Sequence, residues 1–246
     1  TVSVPWLLAS LFYIPAGIVL IAARYHRLIH GLISFSAMLY LVIFQGAIST
    51  FLANAAGSLS YVGILIKVYK VSAELAVQST IIARLAEMLS SLIVTAILVA
   101  VVWSQLEQIR PLLLLAILLA VIGGFAAALV IVIARRLKVP AASETPGHRT
   151  SFWKRAMGFG LRVIQLNPGY IAMILPKTLL YSIVLQAVIA VAMYFSARAF
   201  NIDIGFFEAA LVGVVSAFIA SVPITVFGGV GVYEVSVVGL LAVFGV

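Results

Sequence analysis

Apolar positions run along the chain in long blocks separated by short polar intervals, the pattern of helices that cross a lipid core. Residues 2–23 and 31–53 are each long enough to span ~30 Å of hydrocarbon at a rise of 1.5 Å per residue, and predict two crossings. Leu75 to Trp103, whose strongly polar members are Gln78, Arg84 and Glu87, and Pro111 to Ala134 predict a third and a fourth. Tyr170 to Ala197, which contains Pro176, Lys177 and Gln186, predicts a fifth, and Gly205 to Val222 a sixth.

Two intervals depart from this pattern. The stretch from Asn54 through Gly57, Ser58, Ser60 and Tyr61 to Lys70 is rich in small and polar residues and predicts a discontinuous, partly unwound helix. Pro223 to Glu234, with Gly228, Gly229 and Gly231, predicts a second break. Irregular backbone at membrane depth costs several kcal/mol per unpaired group unless protein or a wet cavity receives it, so each break points to a cavity, and paired breaks point to a transport site. The expected fold class is all-α, a polytopic transmembrane helical bundle with two broken or re-entrant helical segments.

Between the halves, residues 135–155 hold six Arg and Lys against one acid, Glu144, with Pro140, Pro146 and Gly147 breaking regular structure. Residues 151–165 alternate polar and apolar positions at helical spacing and predict a helix lying in the interface plane. The organisation expected is one transmembrane domain over 1–246: a first half 1–134, a basic cytoplasmic loop and interfacial helix 135–169, and a second half 170–246. Both ends read as cuts in a longer protein, since TVSVP lacks a basic leader and LLAVFGV stops in an apolar run. The basic loops expected at Arg24 to Arg27 and at 135–155 both belong on the cytoplasmic side, so an even number of crossings separates them. That parity requires the Asn54–Lys70 interval to return the chain to the cytoplasmic face.

Composition narrows the chemistry. With 65% apolar and 9% charged residues and a mean hydropathy of +1.27, the chain cannot cover itself with a water-facing surface. There is no cysteine, which removes disulfides, thiolate nucleophiles and sulfur-ligated metals. The net charge of +8 sits mainly in short loops, so the expected partners are the membrane and anionic or lipid-linked lipid head groups, and not nucleic acid. Asp203 is the sole Asp and no two acids lie closer than five residues, which disfavours Mg²⁺-assisted transfer to lipid diphosphates. HExxH, GxSxG and GxxxxGK[ST] are missing as well, and no cofactor is expected.

The candidate site residues are the charged and special ones inside apolar runs. From a start at Leu75, Arg84 and Glu87 lie ~14 to 18 Å along the third crossing, on one face by their i, i+3 spacing. A charge there costs ~2.5–3.5 kcal/mol on insertion scales, and such residues commonly face a bundle interior or cavity. They are either a self-neutralising structural pair or a site for a head group or proton. Glu234, directly after the Gly-rich break, is either a surface-turn residue or a partner in the same site. Lys177 either snorkels to the interface or attracts a lipid phosphate. His26 and His30 have metal-like spacing without a third ligand, and interfacial anchoring is the expectation.

Arg84-x-x-Glu87 resembles the Arg-x-x-acid span, and Gly228-Gly229-x-Gly231-x-x-Glu234 the C-terminal GGxGxxE signature, of the lysylphosphatidylglycerol synthase transmembrane-region family, also called flippase-like. The order of spans, the basic central loop and the Asn54–Lys70 interval follow the same plan. The resemblance implies a polytopic helical domain with re-entrant elements that moves lipids or lipid-linked head groups between leaflets; in fused members it sits beside a cytosolic aminoacyl-transferase domain. After Gly57 this chain has Ser58 and Tyr61 where many members have an acid and then an Arg, which leaves the head group open.

The expected function is therefore a lipid translocator of a bacterial or archaeal cytoplasmic membrane. Its polar groove is lined by Asn54, Gly57, Tyr61, Arg84, Glu87, Gly228, Gly229, Gly231 and Glu234, with Lys177 bidding for phosphate. The alternative is a non-catalytic membrane subunit that presents a lipid to a partner enzyme; a homo-oligomer is compatible with either. An embedded lipid-phosphate transferase stays open as a third reading.

Overall fold

The computed structural model describes residues 2–51, 54–106, 168–221 and 232–246, and every regular element among them is helical. In chain order these are α1 (Val4–Leu11), α2 (Tyr13–Leu28), α3 (Phe35–Phe51), α4 (Asn54–Lys67), α5 (Ala73–Val101), a 3₁₀ turn (Trp103–Leu106), α6 (Pro168–Ala199), α7 (Phe206–Ser221) and α8 (Val232–Val243). The predicted crossing at 111–134, the basic loop, the interfacial helix and the break at 223–231 lie outside the described residues.

Local chemistry sets the boundaries. Pro5 opens α1, where its missing N–H is no loss. Pro15 cannot donate to the Leu11 carbonyl, and the chain turns at Phe12 before α2 resumes. At the far end of α2 the backbone enters the left-handed region at His30 (φ 57°) and Gly31 (φ 67°), and Gly31 N–H bonds the His26 carbonyl at 2.9 Å. Lys70 and Asn201, each with φ 57°, end α4 and α6 in the same way. Ser72 starts α5 by accepting the Leu75 N–H at 3.3 Å.

Among the described residues three helices are long and apolar enough to cross a membrane: the continuous stretch Val4–Leu28, Ala73–Val101 and Met173–Ala199. Helices α3, of 17 residues, and α4, of 14, are shorter, and at 1.5 Å per residue they reach ~25 and ~21 Å against the ~30 Å core. They pack on each other as a hairpin. Helix α6 is the hub: α1, α2, α5 and α7 all pack against it, and α8 packs on α7.

The burial pattern is that of a lipid-solvated bundle. Phe12, Tyr40, Phe51, Leu59 and Val235 face outward, whereas Ser79, Ser90, Ser91, Thr178, Ser182, Gln186 and Ser216 are buried. Ala76, Ser79, Ala83, Ala86 and Ser90 form a buried small-residue stripe along α5, spaced alternately three and four residues apart. Small residues let helix backbones approach closely where no hydrophobic drive separates helix from lipid. Gly213 on α7 shows how closely: a Cβ there would stand 2.8 Å from Met193 Cβ on α6.

The apolar core around Tyr25, Leu28, Met38, Tyr61, Leu65 and Ala76 gathers the end of α2, the start of α3, the end of α4 and the start of α5. The α3–α4 hairpin thus returns the chain to the side it left, as the parity expectation requires. Two expectations need correction. Residues 54–67 are one continuous helix and not a partly unwound one, because Gly57 lets α4 lie directly against α3, and the small polar residues serve that contact. Arg24 to Arg27 is no loop: α2 runs on to Leu28, and Arg24 is held inside the bundle by an ion pair.

Candidate functional site

The described charges inside the bundle converge on Glu87, the middle residue of α5. Its Oε2 accepts from Arg84 Nη1 at 2.9 Å, one turn earlier on the same helix, as the i, i+3 spacing predicts. Its Oε1 accepts from Arg24 Nη2 at 2.5 Å, across from α2. Each carboxylate oxygen thus serves a different guanidinium, and two cations against one anion leave the triad one positive charge.

The two arginines differ in environment. Arg24 is 2% exposed, among the largest fully buried side chains of the described residues, and its Nη1 donates to Ser182 Oγ on α6 at 2.9 Å. Ser182 donates its own proton to the Thr178 carbonyl at 3.1 Å, which orients its lone pairs toward Arg24. The guanidinium carbon stands 5.4 Å from the Tyr25 ring centroid, and Tyr25 in turn packs on Tyr61 at 4.5 Å between centroids. Arg84 keeps 35% of its side chain exposed and reaches Ser58 Oγ on α4 at 3.2 Å with Nη2. A guanidinium carries five N–H donors, so this arm has capacity for an oxyanion.

Around the triad the interior stays polar. Gln186 Nε2 donates to Ser91 Oγ at 2.5 Å, tying α6 to α5 one turn beyond Glu87. Arg24 Nε and Gln45 Oε1 are buried with no hydrogen-bond partner among the described residues. Buried polar atoms of this kind are costly until water or a ligand group meets them.

The structure therefore brings together Arg84, Glu87 and the α4 segment, and adds Arg24 and Ser182, which the sequence did not single out. Asn54 begins α4. Gly57 is buried in the α3–α4 contact, where a Cβ would collide with the Ser49 side chain and stand 2.8 Å from the Gln45 carbonyl oxygen. Tyr61 is fully buried beneath the triad, with its hydroxyl 3.5 Å from Ser79 Oγ. Glu234 lies exposed in the first turn of α8, which packs on α7. Gly228, Gly229 and Gly231 lie outside the described residues. Lys177 is exposed on α6 and lines a separate groove with Arg27. His26 packs its ring edge-on against Phe35 at 5.9 Å, and among the described residues no three potential ligands form a metal cluster.

A signal for Arg24 was present. It lies four residues before Leu28 and seven after Gly17, on the face of α2 that the structure buries. Its adjacency to Arg27 at the end of an apolar run masked that placement.

The family model described as "Lysylphosphatidylglycerol synthase TM region" matches residues 1–246, the whole chain. No curated protein and no solved structure matches it.

Proposed function

We propose, from the premise that the chain belongs to the lysylphosphatidylglycerol synthase TM region family, that this membrane protein is a lipid translocator. In this reading a phosphate-bearing head group enters beside Arg84, while the lipid chains stay in the surrounding hydrocarbon. The observation that carries the reading is the net positive triad Arg24–Glu87–Arg84 at the middle of a 29-residue apolar helix, with one arm partly exposed. A charge at that depth is expensive and is commonly retained for a pathway or site. The main barrier to unassisted flipping is desolvation of the head group, and a polar interior with a guanidinium lowers it.

Arg24 is the positioning member: it holds one oxygen of Glu87, so that Glu87 cannot fully neutralise Arg84. Arg84 is the binding member, with a planar fork that suits phosphate. Ser58 steadies it from α4. The reading is tested by reconstituting the protein in vesicles and following leaflet exchange of labelled anionic, aminoacylated and polyprenyl-phosphate lipids. Acceleration of at least one class is expected; no acceleration of any would end the proposal.

A second reading takes support from the family description, which names the transmembrane region of a synthase. The chain would then bind a lipid and present it to a catalytic partner. In that case lipid binding persists without leaflet exchange, and product formation by the partner falls when Arg84 is neutralised.

A further inference from the structure

The outer face between α2 and α6 carries two adjoining depressions, neither lined by a residue of the triad. One depression of about 330 Å³ is lined by Leu20 and Arg27 of α2 and by Lys177, Leu180, Tyr181 and Val184 of α6. A second, also about 330 Å³, is almost wholly apolar, and its walls include Phe12, Tyr13, Ala16, Val184, Val188 and Val191. Val184 borders both, so the two depressions adjoin, a basic one and an apolar one, and together are called the trench.

The chemistry of each end is distinct. Two cationic side chains, Arg27 and Lys177, meet at the polar end, and its lining holds no acid. The Arg27 guanidinium carbon lies 5.4 Å from the Tyr181 ring centroid, a cation–π contact that favours its placement beside the groove. Ten residues of α6, from Lys177 to Ala187, rise ~15 Å, half the ~30 Å hydrocarbon core. Ala187 lines the apolar run, so a head group at Lys177 places the end of a one-leaflet chain inside the trench.

We infer that this trench holds a phospholipid with an anionic head group, its phosphate on Arg27 and Lys177 and one chain along Val184 and Val188. Charge complementarity selects the head group, and the shared wall at Val184 selects a molecule that joins phosphate to hydrocarbon. The same two helices turn Arg24 and Ser182 inward and Arg27 and Tyr181 outward. A lipid seated here rests directly against the helix pair that positions Glu87.

The test uses the full chain, delipidated in detergent, with dioleoyl-phosphatidylglycerol and dioleoyl-phosphatidylcholine as probes and retained lipid counted by native mass spectrometry. The wild type is expected to retain phosphatidylglycerol at least tenfold better. Arg27→Gln with Lys177→Gln brings that lipid down to the phosphatidylcholine level at unchanged melting temperature, and Val188→Trp lowers both. Leu59→Ala, exposed on α4 and lining neither depression, leaves retention unaltered. Equal retention of the two lipids by the wild type, or unchanged retention in the double variant, overturns the inference. Loss of all retention in Arg84→Gln also overturns it, by placing the lipid at the triad. Displacement by soluble glycerol phosphate would show a free-phosphate site, and conversion of a dimer to monomer by Val188→Trp with lipid unchanged would show a second copy of the chain in the trench; either overturns it. Head-group selection that follows Arg27 and Lys177 in a protein that exchanges no lipid keeps this site and removes the translocator reading alone.

Discussion

Arg24 and Glu87, 63 residues apart in the chain, meet at 2.5 Å inside the bundle and join α2 to α5 at the level where Arg84 reaches the same carboxylate. This contact changes what the Arg84–Glu87 pair is. A lone i, i+3 pair would neutralise itself; shared with Arg24, the carboxylate leaves one positive charge inside the bundle.

Removing Glu87 should therefore be worse than removing either arginine. Glu87→Gln strands two guanidiniums, and breaking a buried pair from one side costs ~3–5 kcal/mol. Thermal unfolding in detergent should show the largest loss for Glu87→Gln. The Arg24→Met, Glu87→Met double variant should lose less than the two single changes summed, by a coupling of ~0.5–3 kcal/mol. Strict additivity would mean the two side chains do not interact.

The contact at Gly57 predicts a steric effect. Gly57→Leu forces α4 off α3 and should cost ~1–3 kcal/mol, as overpacking does. Adding Ser49→Ala relieves part of that loss and no more, because the Gln45 carbonyl oxygen is backbone and cannot move aside. Full rescue, or no cost at all, would show that the helices do not approach this closely.

The bond from Gln186 to Ser91 is buried and short, yet its removal should be mild. Hydrogen bonds between membrane helices average ~0.6 kcal/mol and reach ~1.7, because the unfolded chain in lipid finds other partners. Ser91→Ala should lower the melting temperature far less than Arg24→Met. An equal loss would place the structural weight on this bond instead of the ion pairs.

Much of this arrangement was legible from residue order. The long apolar runs gave the helices, since α5 to α7 match the expected spans to within two residues at each end, although α7 is shorter than a full crossing needs. Arg84 and Glu87 were legible because their interaction is local and periodic. Arg24 was not, because its partner lies in another helix and its neighbour Arg27 gives it the look of an interfacial charge. The α4 segment misled for a related reason: Gly57, Ser58 and Ser60 weaken an isolated helix, but small residues are what a close helix–helix contact in a membrane requires. Tertiary packing decided both cases, and single-chain spacing does not encode it.

Arg84 and Lys are not equivalent at this position. Arg84→Lys keeps the charge but cannot bond Glu87 and Ser58 as a planar fork does. Leaflet exchange should fall several-fold, with melting temperature within a degree or two of the wild type. Undiminished exchange would reduce Arg84 to a point charge.

The most direct measurement compares leaflet exchange of a labelled anionic phospholipid in vesicles holding equal amounts of folded wild-type and Arg84→Gln protein. If a head group passes beside the exposed arm of the triad, the wild type speeds exchange and Arg84→Gln lowers that rate at least tenfold. Equal rates in the two, with both above protein-free vesicles, would mean that lipids cross by a route that does not include the triad.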